Sequence, residues 1–250
     1  MLQPALLERT LFHPWLRWFQ PVALLISCFY LAWLLLAQCQ FFYSANYELL
    51  NIGQHIQQYG PQNRYKRHFE MTDKNQHIEL FEEIVHGIRH QPETLSQITY
   101  TVGHQSYTLL RPPEAQHLRD VAALVQPWER FGQIITAFTS LFIIVAVANR
   151  RALPRAKSIG AFILGLITLS VLIAVINPQA VFVWLHTIAF PPEHPWFFYY
   201  QDSLMTTWMK APDLFFAIGI EWLLSAIILL MSYLVLVSKI HNPRLKRLNT

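Results

Sequence analysis

Two histidines stand where imidazole chemistry would be placed at a membrane surface. His117 lies in Glu114-Ala115-Gln116-His117-Leu118-Arg119-Asp120-Val121, ahead of an apolar run that begins at Phe131, and His186 lies in Trp184-Leu185-His186-Thr187-Ile188, after another that ends at Ile176. An ionisable side chain set into an apolar interfacial stretch is a functional candidate, although an interfacial histidine serves equally as a hydrogen-bonded structural residue. Imidazole titrates near neutrality and can both take and give a proton. Asp120 and Glu114 each stand three residues from His117, so on a helix either carboxylate is in reach to orient its ring, and the sequence does not choose between them. Arg119 points to another face, toward lipid headgroups, peptide carbonyls or solvent.

Other site chemistries find less support. His55, His68, His77, His86, His90 and His104 fall in polar stretches and read as solvated imidazoles, and His13 and His241 read as interface residues near the two ends. No phosphate-cradling glycine motif is present, so nucleotide binding lacks its loop. A haem would want axial histidines within the apolar spans, and neither His117 nor His186 is mid-span. A three-ligand zinc site of His117, His186 and Glu114 or Asp120 is the live alternative, without an H-E-x-x-H motif behind it. Ser44, Ser96, Ser106 and Ser203 have no nucleophile motif around them. No metal and no cofactor is expected.

The elements that must position these residues are read from hydropathy and charge. With 53% apolar and 14% charged residues, the chain carries more apolar surface than a soluble fold of its size needs to hide. That surface is gathered into four runs of about twenty residues, the length that roughly 30 Å of hydrocarbon requires of a helix. The sequence therefore predicts an all-α membrane fold of four transmembrane helices, 22–43, 131–148, 159–176 and 214–237, with a small extracytoplasmic α+β insertion at 44–130 between the first and second spans. The lead 1–21, the loop 149–158 and the tail 238–250 are cytoplasmic, and the segment 177–213 is outside, the whole forming one membrane domain. Arg9, Arg17, Arg150, Arg151, Arg155, Lys157, Lys239, Arg244, Lys246 and Arg247 decide this, because short cytoplasmic segments collect Lys and Arg. The net charge of +4 thus reports topology, and no nucleic-acid partner is expected. The first span reads as an uncleaved anchor, with no small-x-small cleavage pattern after it. Cys28 and Cys39, about 16 Å apart along one helix, cannot pair.

Within the insertion, Tyr47–Tyr59 reads as a helix ended by Gly60-Pro61, and Asn75–His90 as a helix with Ile78, Phe81, Ile84, Val85 and Ile88 on its buried face. Ile98–Val102 and Ser106–Leu110 alternate around Gly103-His104 as a hairpin, and Pro112-Pro113 opens the helix that carries His117. The outer segment 177–213 is rich in aromatic residues, among them Phe182, Trp184, Phe190, Trp196, Phe197, Phe198 and Trp208. It reads as an interfacial belt, as an apolar wall around a site, or as both.

Glu114-x-x-His117-x-x-Asp120-Val121, followed by Leu185-His186, Phe190, Trp196-Phe197-Phe198, Asp202, Pro212 and Phe215-Phe216, resembles the two signature regions of the lipoprotein intramolecular transacylase (Lit) family. The resemblance extends over the four-span architecture with its outer insertion. It implies an enzyme of the bacterial cytoplasmic membrane, multi-pass and with its active site on the extracytoplasmic side. Such an enzyme moves an acyl chain from the glyceryl ester to the α-amine of a lipoprotein's N-terminal cysteine, giving a lyso-form lipoprotein. It further implies His117 and His186 as the catalytic pair, with Glu114, Asp120, Arg119, Trp196 and Asp202 orienting or binding substrate, and the diacylated lipoprotein N-terminus and membrane lipid as partners. A non-catalytic lipid- or protein-binding membrane protein and a metal-dependent lipid ester hydrolase are the alternative readings.

Overall fold

The computed structural model describes residues 16–149, 153, 159–160, 163–165, 167–169, 171–172 and 177–240. Helices are numbered α1 (Leu16–Gln38), α2 (Tyr43–Leu49), α3 (Ile52–Tyr59), α4 (Lys74–Arg89), α5 (Pro112–Ala148), α6 (Pro178–Ala189), α7 (Leu204–Trp208) and α8 (Asp213–Ile240). Strands β1 (Thr99–Val102) and β2 (Gln105–Thr108) lie between α4 and α5. Among the described residues three helices, α1, α5 and α8, are long and apolar enough to cross a membrane. The chain is therefore a multi-pass membrane protein, mostly helical, with one small sheet. The expected span 159–176 falls largely outside the described residues, and so do most of the loop 149–158, the lead up to Trp15 and the tail from His241.

The chain divides into two compact units. The first takes 1–33, 130–178 and 222–250. Leu24, Leu25 and Cys28 of α1 pack there with Ile159 and with Leu230 of α8. Phe29 and Trp33 meet the Trp222 ring at 5.4 and 5.8 Å, and the Trp222 indole N–H donates to the Phe29 carbonyl at 2.7 Å. This satisfies the one polar atom of a ring that is otherwise well suited to an apolar setting. Helix α5 approaches α1 closely at Gly132, where an added Cβ would stand 2.3 Å from Tyr30 Cδ2.

The second unit takes 34–129 and 179–221. Its core is aromatic. Tyr43 stacks on Phe81 with ring centres 4.3 Å apart, Phe69 stacks on His77 at 5.0 Å, and the fully buried Trp208 lies against Tyr43, Phe69 and Phe81. The Trp208 indole donates to the His77 carbonyl at 3.2 Å, and Tyr43 Oη donates to the Trp208 carbonyl at 3.2 Å. Residues of the segment 177–213 thus complete the core formed by the segment 44–130. Polar context made His77 read as solvated; it is 2% exposed, because α4 turns it into this core.

Local structure follows local chemistry. Asp73 caps α4 by accepting from the Gln76 N–H at 2.8 Å. The hairpin pairs Thr99 with Thr108 and Val102 with Gln105, and turns at Gly103, whose φ of +60° suits a residue without a Cβ. Helix α1 stops at Gln38, short of the expected Tyr43, because Gln40, Phe41 and Phe42 adopt left-handed φ values of 52°, 50° and 50° and reverse the chain into α2. Each such non-glycine residue costs about 1–2 kcal/mol. The Phe41 carbonyl left by the break accepts from Asn46 Nδ2 at 3.3 Å.

Candidate active site

His186 stands in the last turn of α6. Its Nδ1 lies 2.7 Å from the Phe182 carbonyl one turn back. A carbonyl only accepts, so Nδ1 carries the proton, and the lone pair of the neutral ring is at Nε2. The ring is held by Phe182 at 3.9 Å, Trp196 at 4.9 Å and Phe190 at 5.4 Å between centres.

His117 lies on the second turn of α5, its edge toward Phe190 at 4.8 Å and Phe198 at 6.0 Å. Phe190 therefore touches both imidazoles. The His117 Nδ1 is buried with no hydrogen-bond partner among the described residues. Burial first, and the neighbouring His186 second, push its pKa down to about 4, against a smaller opposing pull from Asp120. His117 belongs to the polar lead of α5, ahead of the apolar run 131–148, and its ring is neutral at physiological pH.

The two carboxylates read as orienters of His117 are directed elsewhere. Glu114, fully buried, accepts from the Arg111 N–H at 2.6 Å and from Arg111 Nε at 3.3 Å, and its other oxygen accepts from Ser203 Oγ. This is half of a capping box at the start of α5, and Pro112-Pro113-Glu114 is its local signal. Burial raises the Glu114 pKa against the opposing pull of Ser203, Arg111 and Lys66. Asp120 Oδ2 meets His194 Nδ1 at 2.8 Å, while Asp120 Oδ1 accepts from Gln116 Nε2 at 2.9 Å. Arg119 donates from Nη2 to Gln116 Oε1 at 2.9 Å. Arg119, Gln116, Asp120 and His194 thus form one chain that ties the Pro191–Pro195 stretch to α5, a turn from His117. His194 escaped the sequence reading because its partner lies 74 residues away.

Trp196 packs on His186 as one wall of the site. Asp202 meets Arg64: the Arg64 Nε approaches Asp202 Oδ1 at 3.1 Å in ion-pair geometry, and the Arg64 N–H donates to the Gln201 carbonyl at 2.8 Å. Among the described residues, His117, His186, Phe190, Phe198 and Trp196 come together, while Glu114, Arg119, Asp120 and Asp202 brace the segments around them.

Two imidazoles that share contact with Phe190, one of them held by a carbonyl at Nδ1, can move a proton between a nucleophile and a leaving group in an apolar setting. A family model described as lipoprotein intramolecular transacylase Lit matches residues 19–216, a stretch that includes every residue of this site. No curated protein and no solved structure matches the chain.

Proposed function

The chain belongs to the lipoprotein intramolecular transacylase Lit family, and from that premise we propose that His117 and His186 catalyse transfer of an acyl chain from the glyceryl ester to the α-amine of a lipoprotein's N-terminal cysteine. The observation that carries the proposal is the placing of both imidazoles against Phe190, His186 with its Nδ1 bonded to a carbonyl and His117 with its Nδ1 buried and its ring neutral.

The geometry supports a division of labour between the two histidines. A peptide α-amine, with a pKa of about 7.7–8.0, is partly unprotonated near neutral pH, and on attacking an ester its nitrogen must shed one further proton. His186 Nε2 takes it. The Phe182 carbonyl accepts from Nδ1 in either protonation state, so the ring need not turn. His117 resists protonation and serves instead as a neutral N–H donor to the oxyanion of the tetrahedral intermediate, where a donor preset in an apolar site is most effective. Collapse breaks the bond to the glyceryl oxygen, which recovers the proton from His186. One amide forms, one ester is lost, and a free hydroxyl marks the lyso product. Amine and ester belong to one molecule, so no acyl-enzyme is required, and holding them in near-attack geometry supplies about 7–11 kcal/mol. The excess of Lys and Arg in the short segments supports a site on the extracytoplasmic side of the cytoplasmic membrane.

The test is mass spectrometry of lipoprotein N-termini in cells carrying each variant at matched membrane abundance. His117→Ala and His186→Ala are expected to lower lyso-form production about 10²- to 10⁴-fold. The exposed His68→Ala and His90→Ala should leave it near normal. Near-normal activity in either His117→Ala or His186→Ala would refute the pair.

A further inference from the structure

Ring contacts run in sequence through the site. From His186 they pass to Phe190, His117 and Phe198, and from Phe198 to Arg111 and Tyr65. The His186 end is apolar, walled by Phe182 and Trp196. The far end is cationic. The Arg111 guanidinium carbon lies 4.7 Å from the Tyr65 ring centre and 5.9 Å from that of Phe198, so Arg111 and His117 flank one phenyl ring.

Arg111 is also held in place. Its Nε and backbone N–H both reach Glu114 Oε2. The two terminal nitrogens have no protein acceptor among the described residues. Lys66 adds a second cation, its Nζ turned to the Thr108 carbonyl at 2.5 Å, and the Glu114 carboxylate faces both. A half-buried guanidinium with a free end-on fork and a positive surplus calls for an oxygen acceptor from outside the chain.

Resting on the transacylase reading above, we propose that Arg111, between Tyr65 and Phe198, is the subsite for the substrate's polypeptide just beyond its acylated cysteine, donating end-on to a carbonyl or carboxylate oxygen of that peptide. Arg111 precedes His117 by six residues, about 9 Å along a helix axis. An extended peptide covers that distance in about three residues. The substrate thus lies with its lipid toward Phe182 and Trp196 and its peptide toward Arg111.

The experiment uses the purified full-length protein and synthetic diacylglyceryl-cysteine substrates that end at the cysteine amide or continue for four residues, neutral or with one acidic residue. In wild type the four residues should lower KM about tenfold or more, the range of a hydrogen bond to a charged group. Arg111→Gln should erase this length dependence, with the loss falling on KM, and Arg111→Lys should restore part of it. Tyr65→Ala, at an exposed position, should show a weaker form of the same KM effect even where Arg111→Gln accumulates poorly. Wild-type length dependence in Arg111→Gln, or an equal loss on long and short substrates, would overturn the subsite. So would a KM that follows anionic lipid content of the vesicle in wild type alone, which would assign Arg111 to a headgroup. Dissociation constants of the unreactive Nα-acetylated lipopeptides give the same comparison without turnover. A length-dependent Kd with no transfer in wild type would keep the subsite and sink the transacylase reading.

Discussion

Two histidines of the second unit share a depressed pKa and differ in everything that decides function. His77 is fully satisfied. The Thr72 hydroxyl donates to the Phe69 carbonyl at 2.5 Å, so Thr72 Oγ1, 2.6 Å from His77 Nε2, must accept from it, and Tyr47 Oη donates to Nδ1 at 3.1 Å. Such a ring is a structural member of a polar network. His117 packs among phenyl rings and leaves a buried nitrogen without a partner among the described residues, a cost a fold tolerates where a ligand supplies the missing group. Both pKa values fall to about 4, in each case through burial first. The unfolded chain, with imidazoles near 6.5, binds more protons than the folded one between these values. Stability contributed by each neutral ring is therefore full above about pH 6.5 and is lost as pH falls toward 4, with a limiting slope of about 1.4 kcal/mol per pH unit per histidine. His77→Gln, which cannot titrate, should show a smaller drop in Tm between pH 6.5 and 4.5 than wild type. Equal drops would show that protonation of His77 is not coupled to unfolding.

Elements built from local rules were legible, and those built from distant contacts were not. The hairpin was readable because Tyr100 and Tyr107 alternate with polar neighbours about a Gly-containing turn, and α4 because Phe81 and Ile84 recur at helical spacing. The left-handed turn at Gln40–Phe42 carries no glycine to announce it, and it is sustained by contacts such as the one between Asn46 Nδ2 and Glu221 Oε1 at 3.0 Å, 175 residues apart. The site shows the same division. His117 and His186 stood out as polar residues in apolar settings. The partners of Glu114 and Asp120, Ser203 and His194, are set by how the segment 190–203 packs, which no spacing encodes. Helix contact in the first unit allows a direct test of close approach. Ala at Gly132 would set its Cβ against Cδ2, Cγ and Cβ of the buried Tyr30, atoms near the root of a side chain with little room to turn. Gly132→Ala should destabilise by about 1–3 kcal/mol, the usual cost of overpacking. Adding Tyr30→Ala should recover part of that loss despite the cavity it makes. A double variant no more stable than the sum of the two single losses would show that the helices do not meet there.

At the scale of the molecule, the orientation of the chain decides which compartment the two imidazoles face. Helix α8 carries Asp213 in its first turn and Lys239 in its last, the arrangement a helix dipole favours, and the lysine marks the end expected in the cytoplasm. The basic residues Arg150, Arg151, Arg155 and Lys157 follow α5 directly, whereas the short segment 177–213 carries Glu193, Asp202 and Asp213 against a single lysine, Lys210. Long loops cross regardless of charge, so these short segments, more than the 44–130 insertion, fix the expectation. In a background with Cys28→Ala and Cys39→Ser, the exposed position Thr101→Cys should react with a membrane-impermeant thiol reagent in intact cells. Asn149→Cys, also exposed, should react only after permeabilisation. The reverse pattern would place the second unit, and with it His117 and His186, in the cytoplasm.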